Sequence, residues 1–358
     1  MTEHQLAASG RPTDEQRYAR QIRYAPIGSD GQARLGASRA AIVGLGALGS
    51  VAAQHLARAG VGFIRLIDRD VLEWSNLQRQ VLYTEDDVAR MLPKAEAAAA
   101  RLQAVNSSIV LEPVIADVTG LNAEALLGDV DIIIDGSDNF SVRYLINDVS
   151  LKHGIPWIYG GVVGATGMSM NFHPGEGKLP CFRCLFPAPP ATGAVDTCDT
   201  AGVLAPAVDV VASLQAAEAL KLLSGNRAAM RGTLLQLDLW YHQWMPLQVG
   251  SSRRDDCPAC GHQQYDYLEQ RHAEPAAAAL CGRATVQITP ADGAQPVSLG
   301  ELEKRLVRIG EVERNPFLLR FRRDEEIVVV LFADGRALIQ GTEDPLVARR
   351  VYAELFGV

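Results

Sequence analysis

Residues 39–49 read R-A-A-I-V-G-L-G-A-L-G, and this stretch decides the fold. The apolar run from Ala40 to Val43 has the length of a buried strand and ends in Gly44-x-Gly46-x-x-Gly49. Glycines at that spacing let the backbone turn tightly and approach a phosphate, with the first amides of the next helix facing the anion. About twelve small, apolar-spaced residues then predict a helix, and F-I-R-L-I at 63–67 predicts a second strand. Asp68 closes that strand 19 residues after Gly49, where an acid commonly meets a ribose hydroxyl. The stretch therefore predicts a nucleotide site in an α/β, Rossmann-like doubly wound sheet.

Working outward, 358 residues suffice for one main domain and a smaller unit. A formal charge of −8 argues against general nucleic-acid affinity. No apolar run of about 20 residues exists, so no membrane span is expected. Residues 1–13 show no signal-peptide pattern and read as a flexible lead, so a cytoplasmic location is expected. In that reducing compartment the pairs Cys181-Phe-Arg-Cys184 and Cys257-Pro-Ala-Cys260 point to metal before disulfides. Together they make a closed Cys₄ set for structural Zn²⁺, clipping two distant segments together, and Gly261 suits the knuckle turn. The bland alternative is two unrelated pairs of buried thiols.

Residues 14–24 have helical spacing, with Asp14 as a possible cap and Arg17, Arg20 and Arg23 as a solvated basic face. The polar run Ser75-Asn76-Leu77-Gln78-Arg79-Gln80 follows the second strand, on the phosphate side of an open sheet, and the Arg79 fork could hold a phosphate. Pro93 opens an Ala-rich helix at 94–105. Lys94 then sits in its first turn, unfavourable for a cation unless an anion binds there, or else is simply an exposed lysine. Ile109 to Val114 and Asp131 to Asp135 are predicted strands. Asp138, just past the latter, is a candidate Mg²⁺ ligand or the cap of a helix starting near Phe140, a role Asn139 could also take. Trp157 to Gly161 is another strand, and Met168 to Phe172 is expected at a sheet edge.

Cys198 lies in a Pro/Gly-rich stretch and is either an accessible nucleophile or a small hydrophobe. The helix from about Ala207 to Leu223 suits core or dimer packing. The expected organisation is a main domain at 14–270, a linker at 271–296 containing a structural Cys281, and a small α+β unit at 297–358. In that unit Ser298 caps a helix at 299–309, Phe317 to Phe321 and Ile327 to Phe332 are strands, and Asp334-Gly335 turns into Ala337 to Gln340. Asp344-Pro345 starts the final helix.

R-Y-A-R-Q at 17–21, G-L-G-A-L-G at 44–49, S-N-L-Q-R-Q at 75–80, P-K at 93–94 and D-G-S-D-N at 135–139 occur together with the two C-x-x-C pairs. C-D-T-A-G-V at 198–203 and S-L-Q-A-A-E-A-L-K at 213–221 complete the set. Over roughly residues 14–262 the chain resembles the ThiF/MoeB/HesA family, bacterial relatives of ubiquitin-activating enzymes. The resemblance implies ATP-dependent adenylylation of the C-terminal glycine carboxylate of a ubiquitin-like sulfur-carrier protein ending in Gly-Gly, releasing pyrophosphate. It implies that Asp68 holds the ribose, that Asn76, Arg79 and Lys94 grip the phosphates, and that Asp138 holds Mg²⁺. Arg20 matches the family arginine that reaches a neighbouring subunit's site, which implies a homodimer. Cys198 matches a cysteine that bonds the carrier in some members only.

Ala47 departs from the glycine many members carry, with little expected effect. No rhodanese-like domain follows the second cysteine pair, so a separate sulfur donor, a desulfurase or a rhodanese, is expected. The C-terminal unit resembles appendages of thiazole-pathway members and tilts the choice toward thiamin. Molybdopterin, thiolated-tRNA and cysteine pathways remain open alternatives. From other classes, an NAD-dependent dehydrogenase would use Gly44 to Asp68 equally well, and a non-catalytic scaffold could keep the fold.

Overall fold

The computed structural model describes residues 13–175, 179–189, 201–269, 277–279, 284–290, 296–324 and 326–356. Helix α1 (Asp14–Ile22) opens the described chain, followed by α2 (Gly28–Ala37). Its cap is Thr13 rather than Asp14: the Thr13 hydroxyl accepts from the Gln16 amide and the Gln16 side chain accepts from the Thr13 amide. This reciprocal pair leaves Asp14 in the first turn, where its negative charge suits the positive end of the helix dipole.

The glycine-rich segment sits between β1 (Arg39–Val43) and α3 (Ala47–Ala59), and β2 (Phe63–Ile67) follows. Helix α4 (Lys94–Val105), β3 (Val110–Val114), β4 (Ile132–Asp135), α5 (Phe140–His153), β5 (Trp157–Val163) and β6 (Thr166–Phe172) continue the unit. It ends in α6 (Ala205–Leu223) and the hairpin β7 (Leu234–Asp238) and β8 (Gln243–Leu247). The sheet runs β3-β2-β1-β4-β5-β6-β7-β8, parallel from β3 to β5 and antiparallel beyond. The order runs outward from β1 to β3 and restarts at β4 on the other side of β1. That reversal is the switch point where open α/β sheets bind ligands. Both faces are covered, as parallel strands require. Ala40 and Ile42 pack with α3 and α4, while Ala41 and Val43 pack toward Tyr144 and Trp157.

Strand β6 is internal, between β5 and β7, so the edge position expected for Met168 to Phe172 is corrected. The hairpin displaces it, with β8 forming the edge. Gln243–Leu247 carries a proline and is exposed along its whole length, which leaves no strand alternation to detect.

The C-terminal unit is antiparallel, in the order β11-β12-β13-β14-β10-β9. Its elements are β9 (Ala277–Ala279), β10 (Thr285–Ile288), α7 (Leu299–Leu306), β11 (Glu311–Arg314), β12 (Leu318–Arg322), β13 (Val328–Phe332), β14 (Ala337–Gln340) and α8 (Pro345–Phe356). One face packs on α7 and α8 through Leu302, Leu306 and Leu355. The stretch 271–296, expected as a linker, thus supplies two strands of this sheet. Their alanines and alternating Thr and Gln hid them. Cys198, Cys281 and nearly all of the expected flexible lead lie outside the described residues. No described helix is long and apolar enough to cross a membrane.

Candidate nucleotide site and metal centre

Gly44 has φ +85°, and a Cβ there would stand 2.7 Å from the Gly136 carbonyl oxygen. A Cβ on Gly49 would strike the Gly44 carbonyl oxygen, and one on Gly136 would come within 2.8 Å of Gly49 Cα. Three glycines therefore close the exits of β1 and β4 onto the start of α3. Gly46 caps α3 without a side-chain bond, leaving the helix's first amides to an anion. Gly49→Ala is expected to cost about 2–3 kcal/mol in urea unfolding through this backbone overlap. A loss under about 0.5 kcal/mol would contradict the packing.

Asp68 lies just past β2. Its Oδ2 accepts from the Leu45 amide at 2.6 Å and its Oδ1 from the Asp70 amide at 2.7 Å. The carboxylate thereby ties the β2 exit to the glycine loop. Burial pushes its pKa up, against the pull of Lys94. The lysine is 3% exposed, and its Nζ stands 2.9 Å from Asp70 Oδ2, so it is not a surface residue. The conflict with the helix dipole expected for Lys94 is relieved by Asp70 and Asp68, before any phosphate arrives. Asp70 was missed in the sequence, although D-R-D at 68–70 sets a second acid beside the first.

Asn76 is buried and accepts from the Glu73 amide at 3.1 Å, folding the turn that carries the polar run. Arg79 Nη1 donates to the Ser75 carbonyl at 3.0 Å, and the residue keeps part of its surface exposed. Gln80 is buried against Gly46, and its Oε1 has no hydrogen-bond partner among the described residues. Tyr83 donates to the Leu45 carbonyl at 2.7 Å and steadies the loop from below.

Asp135, at the end of β4, is wholly buried. It accepts from the Ser137 amide and hydroxyl at 2.9 and 2.6 Å, and from Arg143 Nε at 2.9 Å. Arg143 Nη2 also donates to the Ser137 carbonyl at 2.7 Å. Gln215 of α6 donates to the Asp135 carbonyl at 2.8 Å. This network fixes the turn that presents Asp138. Asn139, not Asp138, caps α5, accepting from the Ser141 amide at 2.8 Å. Asp138 is exposed, and no described residue bonds its carboxylate. Its charge is nonetheless felt nearby. Burial opposes the Arg69 cation, yet Asp117, Asp70 and Asp138 outweigh it and raise the Arg69 pKa. The exits of β1, β2 and β4 thus converge, bringing Gly44, Gly46, Gly49, Asp68, Lys94 and Asp138 to one end of the sheet.

Arg20 does not join them. Helix α1 packs on the far ends of α3 and α4: Arg17 donates to the Val105 carbonyl, and Gln21 to that of Ala59. Arg20 is therefore exposed at the amino end of the parallel strands, opposite this chain's own site.

The four cysteines Cys181, Cys184, Cys257 and Cys260 come together, with all Sγ atoms within 4.8 Å of one another. Three of the separations are 3.5, 3.7 and 3.9 Å. A tetrahedron with ~2.3 Å metal–sulfur bonds has an edge of about 3.8 Å, so the set fits a metal ion. The Cys181 thiol donates to Cys184, lowering the Cys184 pKa to about 4 and raising its own. A Cβ on Gly261 would meet the Cys257 carbonyl at 2.7 Å, so the knuckle turn requires glycine.

Behind this knuckle, Asp148 is wholly buried and accepts from the Tyr267 amide at 3.1 Å. Burial pushes its carboxyl up to about 7. A carboxyl raised above its unfolded value stabilises the fold below about pH 4, and that contribution is lost as pH rises through about 7. Asp148→Asn is therefore expected to gain at least about 1 kcal/mol over the parent between pH 5 and pH 8 in urea unfolding. Parallel pH profiles for the two proteins would contradict this.

The family model described as "ThiF family" matches residues 18–259. The chain is 44% identical over 342 residues to the sulfur carrier protein ThiS adenylyltransferase of Bacillus subtilis, covering 95% of this chain and 99% of that one. It is 41% identical to the SAMP-activating enzyme E1 of Haloferax volcanii, over 72% of this chain and 93% of that one. It is also 42% identical to a sulfur carrier protein adenylyltransferase of Thermus thermophilus, over 68% of this chain and 90% of that one. Escherichia coli MccB solved with ATP superposes with a TM-score of 0.60 at 24% identity, over 69% of this chain and 75% of that one, a likeness of fold. With the family model spanning most of the glycine loop, Lys94, Asp138 and cysteine segments just described, the chain belongs to the ThiF family.

Proposed function

We propose that this protein adenylylates the C-terminal glycine carboxylate of a ubiquitin-like sulfur-carrier protein, in thiamin thiazole synthesis. The observation that carries the proposal is the convergence of the uncapped start of α3, buried Lys94 and unbonded Asp138 at one end of the sheet. The near end-to-end likeness to a ThiS adenylyltransferase supports the choice of carrier. Activation of a molybdopterin-type carrier is the alternative within the class. The dehydrogenase alternative rested on the glycine loop and Asp68 alone, and membership of the ThiF family favours the adenylyltransferase reading over it.

The carrier carboxylate is ionised at neutral pH, so its oxygen needs no base to attack the α-phosphorus of ATP. A bond forms between that oxygen and phosphorus, the bond from phosphorus to the bridging oxygen breaks, and pyrophosphate leaves. The chain's task is positioning and charge neutralisation. The α3 amides, Lys94, Arg79 and Asn76 hold the phosphates. Asp68, whose oxygens keep a second lone pair each, takes the ribose. Asp138 would hold Mg²⁺, which would supply positive charge to the leaving pyrophosphate. The Cys₄ set would hold Zn²⁺ as a structural clip. Arg20 serves the partner's site in a homodimer, its place at the far end of the sheet leaving its own site out of reach. Sulfur then reaches the adenylate from a separate donor, a desulfurase or rhodanese.

Saturating ATP·Mg at about 100 times its Kd is expected to stabilise the chain by roughly 2.7 kcal/mol, and NAD to have no effect. A rise in Tm with NAD but not with ATP·Mg would overturn the proposal.

A further inference from the structure

The C-terminal sheet lies against the turns that carry Asp70 and Lys94. Those turns, residues 69–72 and 91–94, form a small antiparallel ribbon in which Val71 pairs with Pro93. The Leu72 amide donates to the Leu92 carbonyl at 3.1 Å, and the Lys94 amide to the Asp70 carbonyl at 3.0 Å. The ribbon holds the Lys94–Asp70 ion pair at one end and continues from Asp68. It is not relaxed backbone. Met91 has φ +51°, a left-handed conformation that is strained for a non-glycine residue.

Two side chains of the C-terminal unit grip the ribbon, one on each strand. Asn315 Nδ2 donates to the carbonyls of Arg90 and Met91, at 3.1 and 2.9 Å, at the strained residue itself. Arg336 Nη1 donates to the Arg69 carbonyl at 2.9 Å, between the two acids. Arg336 is 3% exposed, its guanidinium lies 4.2 Å over the Phe332 ring, its Nε stands 3.8 Å from Asp334 Oδ2, and among the described residues Nε and Nη2 make no hydrogen bond. Asp334 meets part of the cation's charge, and the hydrogen bond to the Arg69 carbonyl aims the buried guanidinium at the ribbon. Gln287 Nε2 adds a 2.8 Å bond to Asp117 Oδ2, the oxygen that also receives Arg69. Val71, Met91 and Ile115 pack against the Leu318, Val330, Phe332 and Leu338 face. Asn315, Arg336 and Gln287 all lie beyond the residues matched by the family model.

We propose that Asn315 and Arg336 are positioning residues for ATP, clamping the 69–72/91–94 ribbon so that Lys94 and the Asp68–Asp70 turn face the ribose and phosphates. The proposal rests on the adenylylation reading above. A loosened ribbon must be ordered again when ATP binds, so the loss falls on ATP rather than on the carrier.

The full chain tests this with Asn315→Asp, Arg336→Met and Arg336→Lys. Asn315→Asp keeps the oxygen that accepts from the Phe317 and Leu318 amides, and sets a second oxygen against the Arg90 and Met91 carbonyls. Arg336→Met keeps bulk without donors, and Arg336→Lys keeps one donor. For N315D and R336M, the Kd for ATP·Mg in titration calorimetry is expected to rise at least fivefold. The KM for the carrier in pyrophosphate exchange is expected to stay within twofold. The Leu72 and Lys94 amides are expected to exchange hydrogen at least tenfold faster, and R336K to recover most of the loss. An unchanged ATP Kd in both variants overturns the proposal, whatever the amides do, and so does an equal loss for ATP and carrier. If R336M fails to fold, N315D on its half-buried turn decides alone. A parent that binds ATP but exchanges no pyrophosphate overturns the adenylylation reading instead, while the ATP Kd still decides the clamp.

Discussion

Asp138→Asn is expected to lower ATP–pyrophosphate exchange by about 10²–10³-fold, the size of effect seen when one transition-state charge partner is removed. Its melting temperature is expected to stay within about 2 °C of the parent, because no described residue hydrogen-bonds the carboxylate and Asn139 supplies the α5 cap. The turn itself is fixed by Asp135, Arg143 and Gln215, none of which the substitution touches. Raising Mg²⁺ should recover part of the loss, since a neutral amide oxygen is a weaker ligand for the same ion. Full activity with an unchanged Mg²⁺ requirement would remove Asp138 from the site. A large fall in Tm would mean that the turn, not the charge, had been lost.

Cys257→Ser is expected to empty the cysteine cluster and cost several kcal/mol of stability. For a chain of this size that is a fall in Tm of roughly 5 °C or more. The cluster joins two segments with 72 residues between them in sequence, and Cys257 is fully buried among its partners. Without the ion, the four sulfurs crowd together within 4.8 Å and lose the bonds that would clip the two segments. Strong chelators should reproduce the loss in the parent and have no further effect on the variant. Purified parent protein carrying well under one zinc per chain while remaining folded would contradict the zinc assignment.

Much of the parallel half of the fold was legible, because its strands are near-continuous Val/Ile runs ending in glycine or acid. Gly44, Asp68 and Asp135 each mark a strand exit, and the structure sets those exits side by side. The antiparallel strands were legible only in part: β6, β12, β13 and β14 were read from their apolar runs, whereas β7 to β11 were not. In β8 the residues face solvent throughout, and in β9 the alanines carry no strand signal, so only pairing partners define them. The cysteine cluster was legible because C-x-x-C fixes local geometry, although spacing could not say that the pairs meet. Lys94 could be flagged by its clash with the helix dipole. Its real partner, Asp70, is a long-range contact made by the ribbon of residues 69–72 and 91–94, and no local pattern announces it. The same holds for Asn315 and Arg336, which reach the site only because a second sheet packs there.

The central claim is that an acyl-adenylate forms on a sulfur carrier. Its most direct test is ATP–pyrophosphate exchange by the purified full chain, with thiazole-type and molybdopterin-type carriers ending in Gly-Gly assayed in parallel. Exchange with the thiazole-type carrier alone, abolished when its terminal glycine is removed, is the predicted result. Absence of exchange with either carrier, in a protein that binds ATP·Mg, would contradict it.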